Sequence, residues 1–422
     1  MKPVKWALAP LVVAAGLMGG CGGGSPTPDA PPSPAATRDG RWVQDVDYMT
    51  SQLERLHPNL FFATSRADFL AAAQQLKDQV PRLPDHQVAV GLMRLAALPH
   101  DAHTAVQYWA LRFHRLPLRL TRLPGGLYVV AAESAVSEAL GARLEAVGDV
   151  PVAELEAGAA RLVSHENDAW VRNQVPDLLS HTEVLFSLGA TPSVDTARVW
   201  LQQPSGALVS LDLAARASPA PLVTLTAAAG LPTPLHEQRT NENYWMTPLE
   251  GTRALYVQYN RCQNGGEPFR TFAERVFRLL DAGGVDRLIV DVRHNGGGDS
   301  EVDNPLIEGL QGRATWRARG RVLCLTGSAT FSSAMWTAHD LQQVGAVLVG
   351  SPTGGKPNSY GNTQDLVLPN SLVTVSYSTR LYRLIDGSDP PSLVPGVPVE
   401  PTIEDLRAGR DPVLEAALRY TP

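Results

Sequence analysis

Leu288-Ile-Val-Asp-Val-Arg-His-Asn-Gly-Gly-Gly-Asp299 opens as a buried-looking β run and ends in three consecutive glycines. A short apolar run bounded by a turn signal predicts a buried strand. The glycines expose backbone N–H groups in conformations that other residues resist, so the loop is either a tight strand-to-helix turn or an anion cradle. It carries neither Gly-x-x-x-x-Gly-Lys-Ser/Thr nor the spacing of a dinucleotide fingerprint, which disfavours a phosphate. On either side the pattern alternates. Strand Ala254–Tyr259 and helix Phe269–Leu280 are predicted before it, and strand Val322–Leu325, helix Ser333–Gln343 and strand Ala346–Gly350 after it, then further strands at Asp365–Leu368 and Leu372–Ser378. Strands alternating with helices predict a mixed α/β layered core whose sites lie on loops after strand ends.

Two such loops carry reactive side chains. Thr326-Gly-Ser-Ala-Thr-Phe-Ser-Ser-Ala334 turns from a strand into a helix and sets Ser332 or Ser333 at the helix N-terminus. A serine there is an N-cap, or a nucleophile beside an amide and a helix dipole that can stabilise an oxyanion. Ser351-Pro-Thr-Gly-Gly-Lys356 follows the next strand. The chain writes 36 basic residues but only four lysines, at 2, 5, 77 and 356. Lysine, unlike arginine, can lose its proton when desolvated and act as a general base; Lys356 is such a base or an ordinary surface lysine. His103 in His100-Asp-Ala-His-Thr104 is a second candidate base, or a hydrogen-bonded structural histidine. The remaining histidines lack metal-ligand spacing, and His-Glu-x-x-His, Ser-x-x-Lys and Gly-x-Ser-x-Gly are absent.

Residues 41–115 are predicted as a helical module with helices at Val43–Leu56, Asp68–Val80 and after Asp85. Short β-like runs at Leu127–Ala131 and Leu144–Val147, a helical Ser134–Leu140 and the stretch Val152–Val163 predict a small mixed unit over 116–165. Residues 165–250 read poorly, beyond a strand pair at Ala197–Gln202 and Ala207–Leu213. Before all this, a basic Met1–Lys5 and a 13-residue apolar run, Trp6 to Met18, have the form of a secretory leader over 1–20, too short to span a bilayer. Leu17-Met18-Gly19-Gly20-Cys21 looks like a bacterial lipobox with Cys21 as the lipidated residue, and residues 21–40, rich in Gly, Pro, Ser and Ala, are expected to be a flexible tether. The expected location is an exported, lipid-anchored one, with Gly22 in place of an inner-membrane-retaining Asp favouring the outer membrane or periplasm. Only Cys262 and Cys324 remain, and they pair or stay free.

Composition bounds the partners. The chain has 422 residues, 44% apolar and 18% charged, with formal net charge −6. These values describe a folding chain of two to three domains. With no polybasic run and no Zn-spaced Cys/His cluster, nucleic acid is not an expected partner.

Taken in order, Asp-x-His-Thr, Val-Asp-Val-Arg-x-Asn-Gly-Gly-Gly, Thr-Phe-Ser-Ser-Ala and Val-Gly-x-Pro-Thr-Gly-Gly-Lys-Pro-Asn resemble the C-terminal processing (tail-specific) serine peptidases and their tricorn-like branch, over roughly residues 95–415. The resemblance implies a crotonase-like β-spiral catalytic core, here residues 166–422, and a PDZ-like small domain, here 116–165, where Gly126 to Val152 is similar to the latter half of a PDZ domain. It implies a peptide or unfolded-protein substrate and no metal or cofactor. By position Ser332 matches the nucleophile, Lys356 the base of the processing-peptidase dyad, His103 the base of the tricorn-like branch, and the amides of Gly297 and Ser333 the oxyanion hole. Both bases are present. For the acid that would orient His103, Asp386 and Asp389 lie in the right region, but Pro390-Pro391 stands where that branch carries a carboxylate, and Met335-Trp336 replaces a Glu that follows the nucleophile. The alternative is a non-catalytic ligand- or peptide-binding lipoprotein on the same scaffold.

Overall fold

The computed structural model describes residues 27–218 and 220–422. The expected leader 1–20 and Cys21 lie outside them. Six strands form a central sheet in the order Val397–Pro398, Val347–Gly350, Val322–Thr326, Arg287–Asp291, Ala254–Tyr259, Tyr244–Pro248. All neighbours are parallel except the last pair. Parallel strands covered on both faces read as unbroken apolar runs, which is why this region was legible. Leu288, Val290, Val322 and Cys324 pack under helices Phe269–Asp281, Asn304–Gln311 and Ser333–Gln343. Ile289, Leu323 and Leu325 face the other way, onto Val413 and Ala417 of the C-terminal helix Pro412–Arg419. Each such burial is worth about 1.5–3 kcal/mol, so neither face of Leu288–Val290 tolerates a polar residue cheaply. The loops 292–299, 327–332 and 351–357 all leave the same edge of this sheet, as the strand directions require.

A second, antiparallel sheet runs Leu118–Leu123, Gly126–Ala132, Arg143–Val147, Thr196–Gln202, Leu208–Ala214, with Val150–Pro151 and Val223–Thr224 added beside it. The boundary expected at 165/166 is corrected here, because Thr196–Gln202 pairs with Arg143–Val147 and so completes the sheet begun before residue 165. The expected strand pair is present, shifted by one residue at three of its four ends. Helices Arg38–Leu56, Arg66–Gln79 and Asp85–Ala97 pack on this unit in one shared core. Leu366, Val375 and Tyr377 join the same core from a long hairpin, Asn358–Val367 with Thr374–Arg383. The expected module 41–115 therefore has no core of its own. Its apolar helix faces are completed by the sheet.

The hairpin also pairs with Ala105–Val106, Ala105 opposite Ser376, and this fixes the turn that carries His103 against the C-terminal half. Sequence reading saw only the apolar ends of the hairpin, since Asn358-Ser-Tyr-Gly-Asn-Thr-Gln364 has no apolar period. The expected tether is corrected over its described part. Tyr48 Oη donates to the Asp29 carbonyl at 2.7 Å, and Gln52 and Gln44 side chains accept from the Asp29 and Ala35 amides, both at 2.8 Å. The first helix thus supplies the partners that the proline-rich segment cannot find along its own backbone. Cys262 and Cys324 are both buried and unpaired. No helix among the described residues is long and apolar enough to cross a membrane.

Candidate active site

Ser332 caps helix Ser333–Gln343 with φ 50° and ψ −129°. A non-glycine residue there costs of order 1–3 kcal/mol, held by its surroundings. The surroundings are specific. Phe331 N–H donates to the Asn295 carbonyl and Thr330 Oγ1 to the Val292 carbonyl, tying the serine turn to the glycine loop. Phe331 stacks between Trp170 (centroids 4.1 Å apart) and His103 (4.5 Å). Gly297, at φ 103°, lies so close that a Cβ would sit 2.6 Å from the Ser332 Cβ. Gly355 is equally constrained, its Cβ position lying 2.9 Å from Met335 Cβ and 3.1 Å from the Ser332 nitrogen. The glycine loops thus let three chain segments converge on one serine.

His103 Nε2 lies 3.0 Å from Ser332 Oγ. Burial holds the imidazole pKa below its usual value, partly offset by Asp101 and then by the Tyr360 carbonyl, so at neutral pH the ring is the neutral form that accepts a proton. Asp101, within the motif but given no role in the sequence reading, shapes the turn. Its carboxylate accepts from His57 Nε2 at 3.0 Å, Thr104 Oγ1 at 2.6 Å and the His103 amide at 3.0 Å. The Asn59 amide donates to His57 Nδ1, which leaves Nε2 as the donor to Asp101. Burial alone would raise the Asp101 pKa; the His57 hydrogen bond and its companions carry it below the ordinary carboxylate range.

The other ring nitrogen, His103 Nδ1, is enclosed and makes no hydrogen bond, and so is Glu166 Oε1. Asp101, His103 and Glu166 each place a donor atom within 4.8 Å of the others. As a metal site the trio is poorly supplied, because both Asp101 oxygens already accept protein hydrogen bonds. Glu166 was not read from the sequence. Only its neighbour Asn167 carries a signal, as the cap of helix Asp168–Leu178. The Asn167 side-chain amide also donates to the carbonyls of Gly354 (2.9 Å) and Pro391 (2.7 Å), which sets Glu166 beside the lysine loop.

Lys356 is not brought to the serine. Its Nζ donates to Asp389 Oδ2 at 2.8 Å, and the Ser332 hydroxyl has His103 as its partner. The same bond engages Asp389, one of the two acids expected near His103. Asp386 lines a cleft of about 590 Å³ with Phe62, Glu166, Lys356, Tyr360 and Arg383. Of the two expected oxyanion-hole amides, the Gly297 N–H donates to Asn295 Oδ1 at 2.9 Å. Ser333 is the first residue of its helix, where N–H groups lack intrahelical partners and the dipole is positive.

Beneath the glycine loop, Arg293 is clamped between two carboxylates, with Nη2 2.6 Å from Asp291 and 2.7 Å from Asp411. Tyr256 Oη donates to Asp291, and His236 Nδ1 lies 3.0 Å from Asp411. This network joins the loop to the C-terminal helix. His294 stacks on His236, and burial pushes its pKa down to about 4.

No protein-family model and no curated protein matches the chain. Among solved structures, mature CPAF complexed with lactacystin is similar over 88% of this chain and 96% of that one, with TM-score 0.61 and 13% identity. Mature CPAF alone gives TM-score 0.60 and 14% identity over 88% and 94%. The photosystem II D1 C-terminal processing protease is a more distant match, at TM-score 0.42 and 14% identity over 91% and 97%. The chain has the fold of mature CPAF, a mixed α/β fold with several sheets.

Proposed function

We propose that this chain is a serine endopeptidase of the tail-specific or tricorn-like type, working through an acyl-enzyme on Ser332 with His103 as the base. The observation that carries the reading is the 3.0 Å contact between His103 Nε2 and the hydroxyl of a serine held at positive φ on a helix N-terminus. The fold shared with mature CPAF and the order of the sequence motifs support it. Of the two candidate bases, the geometry favours His103 over Lys356. As Ser332 Oγ attacks the peptide carbonyl, Nε2 takes its proton and later delivers it to the leaving amine, and water then repeats the sequence on the ester. The Ser333 amide faces the developing oxyanion. The cleft beside Tyr360 and Lys356 offers the substrate groove. In the same reading the core is crotonase-like, the small sheet unit PDZ-like, and the body exported and tethered through a lipidated Cys21.

Cleavage of a diverse peptide library, read by mass spectrometry, tests the proposal with a tether-free body that begins at residue 27, so that it keeps the docked segment Asp29 to Ala35, and its Ser332→Ala variant. Cleavage by the parent alone supports it, and equal cleavage by both, or by neither, opposes it. Lactacystin, which mature CPAF was solved with, is the first inhibitor to try.

A further inference from the structure

The base proposed above needs a partner on its far nitrogen. A histidine that takes a proton at Nε2 must carry one at Nδ1, and an imidazolium with that proton unpaired in a buried site is costly. Asp101 is the nearest acid in sequence, but its Oδ1 stands 4.0 Å from Nδ1 and both oxygens are held by His57, Thr104 and the His103 amide. Asp389 is paired with Lys356. Glu166 is the one acid of the described neighbourhood with an enclosed oxygen that has no partner, and His103 Nδ1 is an enclosed nitrogen that has none. A ring nitrogen of His103 and a carboxylate oxygen of Glu166 lie within 4.8 Å of each other. Closing that gap requires a rotation of the Glu166 side chain, with Asn167, bonded to Gly354 and Pro391, fixing the neighbouring backbone.

We infer that Glu166 is the positioning residue of His103, accepting the Nδ1 proton while Nε2 exchanges a proton with Ser332, and that Lys356 serves by holding Glu166 ionised. The inference rests on the peptidase reading. It reassigns the lysine from base to electrostatic partner. The titratable and charged groups facing Glu166 are Asp101 and His103 from the histidine turn, Lys356 from the glycine loop, and Arg383, Asp386 and Asp389 across the cleft they share. Burial and then the Asp101 charge push the Glu166 carboxyl up to about 8, and the Ala102 backbone amide, followed by the Lys356 charge, opposes them. Ionisation is needed for the role, so turnover rises as pH rises through this region, as a property of the coupled Glu166–His103 pair.

The test is kcat and KM against pH for the parent, Glu166→Gln, Glu166→Asp and Lys356→Met, with melting curves as a check on folding. Glu166→Gln is expected to lose roughly 10²-fold or more in kcat with KM little changed, and to lose the rise near pH 8. Glu166→Asp restores part of kcat together with the rise. Lys356→Met moves the rise to higher pH. An unchanged kcat and pH profile in Glu166→Gln, or a Lys356→Met profile that does not move, overturns the inference. A readout without turnover separates this from failure of the peptidase reading: the NMR resonance of the His103 Nδ1 proton, in the unreacted protein, shifts on Glu166→Gln if the contact exists and stays fixed if it does not.

Discussion

His103 and Lys356 compete for one role, and the geometry separates them. His103→Ala is expected to lower kcat by about 10²–10⁴-fold, the usual worth of a positioned acid–base group, whereas Lys356→Ala keeps Ser332-dependent turnover. Kinetics of the two variants at a fixed pH above 8 decide it, and a dead lysine variant beside an active histidine variant would restore the dyad. Gly297→Ala would push a methyl against the Ser332 side chain. A displacement of that order costs about 10²-fold in rate, so this variant should fold yet lose most activity; parent-like kcat would show that the serine turn is not so constrained. Ser332 and His103 were legible because each stands in a short motif. Glu166 was not, because what distinguishes it is an unpartnered oxygen, which no local pattern records. The strain at Ser332 was equally invisible, since it comes from three segments meeting.

Among the elements, the C-terminal helix does the least obvious work. Asp411 caps it and also holds Arg293, whose backbone begins the glycine loop. Removing one partner of a buried pair leaves an uncompensated charge, so Asp411→Asn should destabilise the fold by about 3–5 kcal/mol, measured by urea unfolding. A change below 1 kcal/mol would mean the clamp is dispensable. For the wild-type chain, burial would raise the Asp411 and Asp291 pKa values, but the Arg293 charge and hydrogen bonds carry both below the ordinary carboxylate range. A depressed folded pKa contributes stability that is present above the unfolded value, about 4, and is lost as pH falls toward the folded one. Acid unfolding below about pH 4 should therefore be less steep in Asp411→Asn. The central strands were legible from their apolar runs. The polar half of the hairpin Asn358–Arg383, beyond the expected strands at 365–368 and 372–378, and helix Asp168–Leu178, which carries Pro176 in its last turn, were not.

Across the chain, the base and the nucleophile come from opposite halves, and the small pairing of Ala105–Val106 with the hairpin brings them together. The boundary drawn at 165/166 from the run of expected elements failed for that reason: long-range pairing decides which residues share a core. The two thiols follow the same logic. Both are buried, and burial pushes the Cys262 thiol up to about 12, so a thiol reagent should label no cysteine of the tether-free body until it unfolds, and then two. Labelling of the native body would show that its core opens. The proposed lipid anchor predicts that Cys21→Ser moves the full chain from the membrane to the soluble fraction on cell fractionation; equal membrane recovery would remove the anchor.

The most direct measurement is intact-mass analysis after treating the tether-free body with a fluorophosphonate, which phosphonylates only an activated serine. The account predicts a single adduct that maps to Ser332 and disappears in His103→Ala. No adduct on the folded parent, or one that forms equally well without His103, would contradict it.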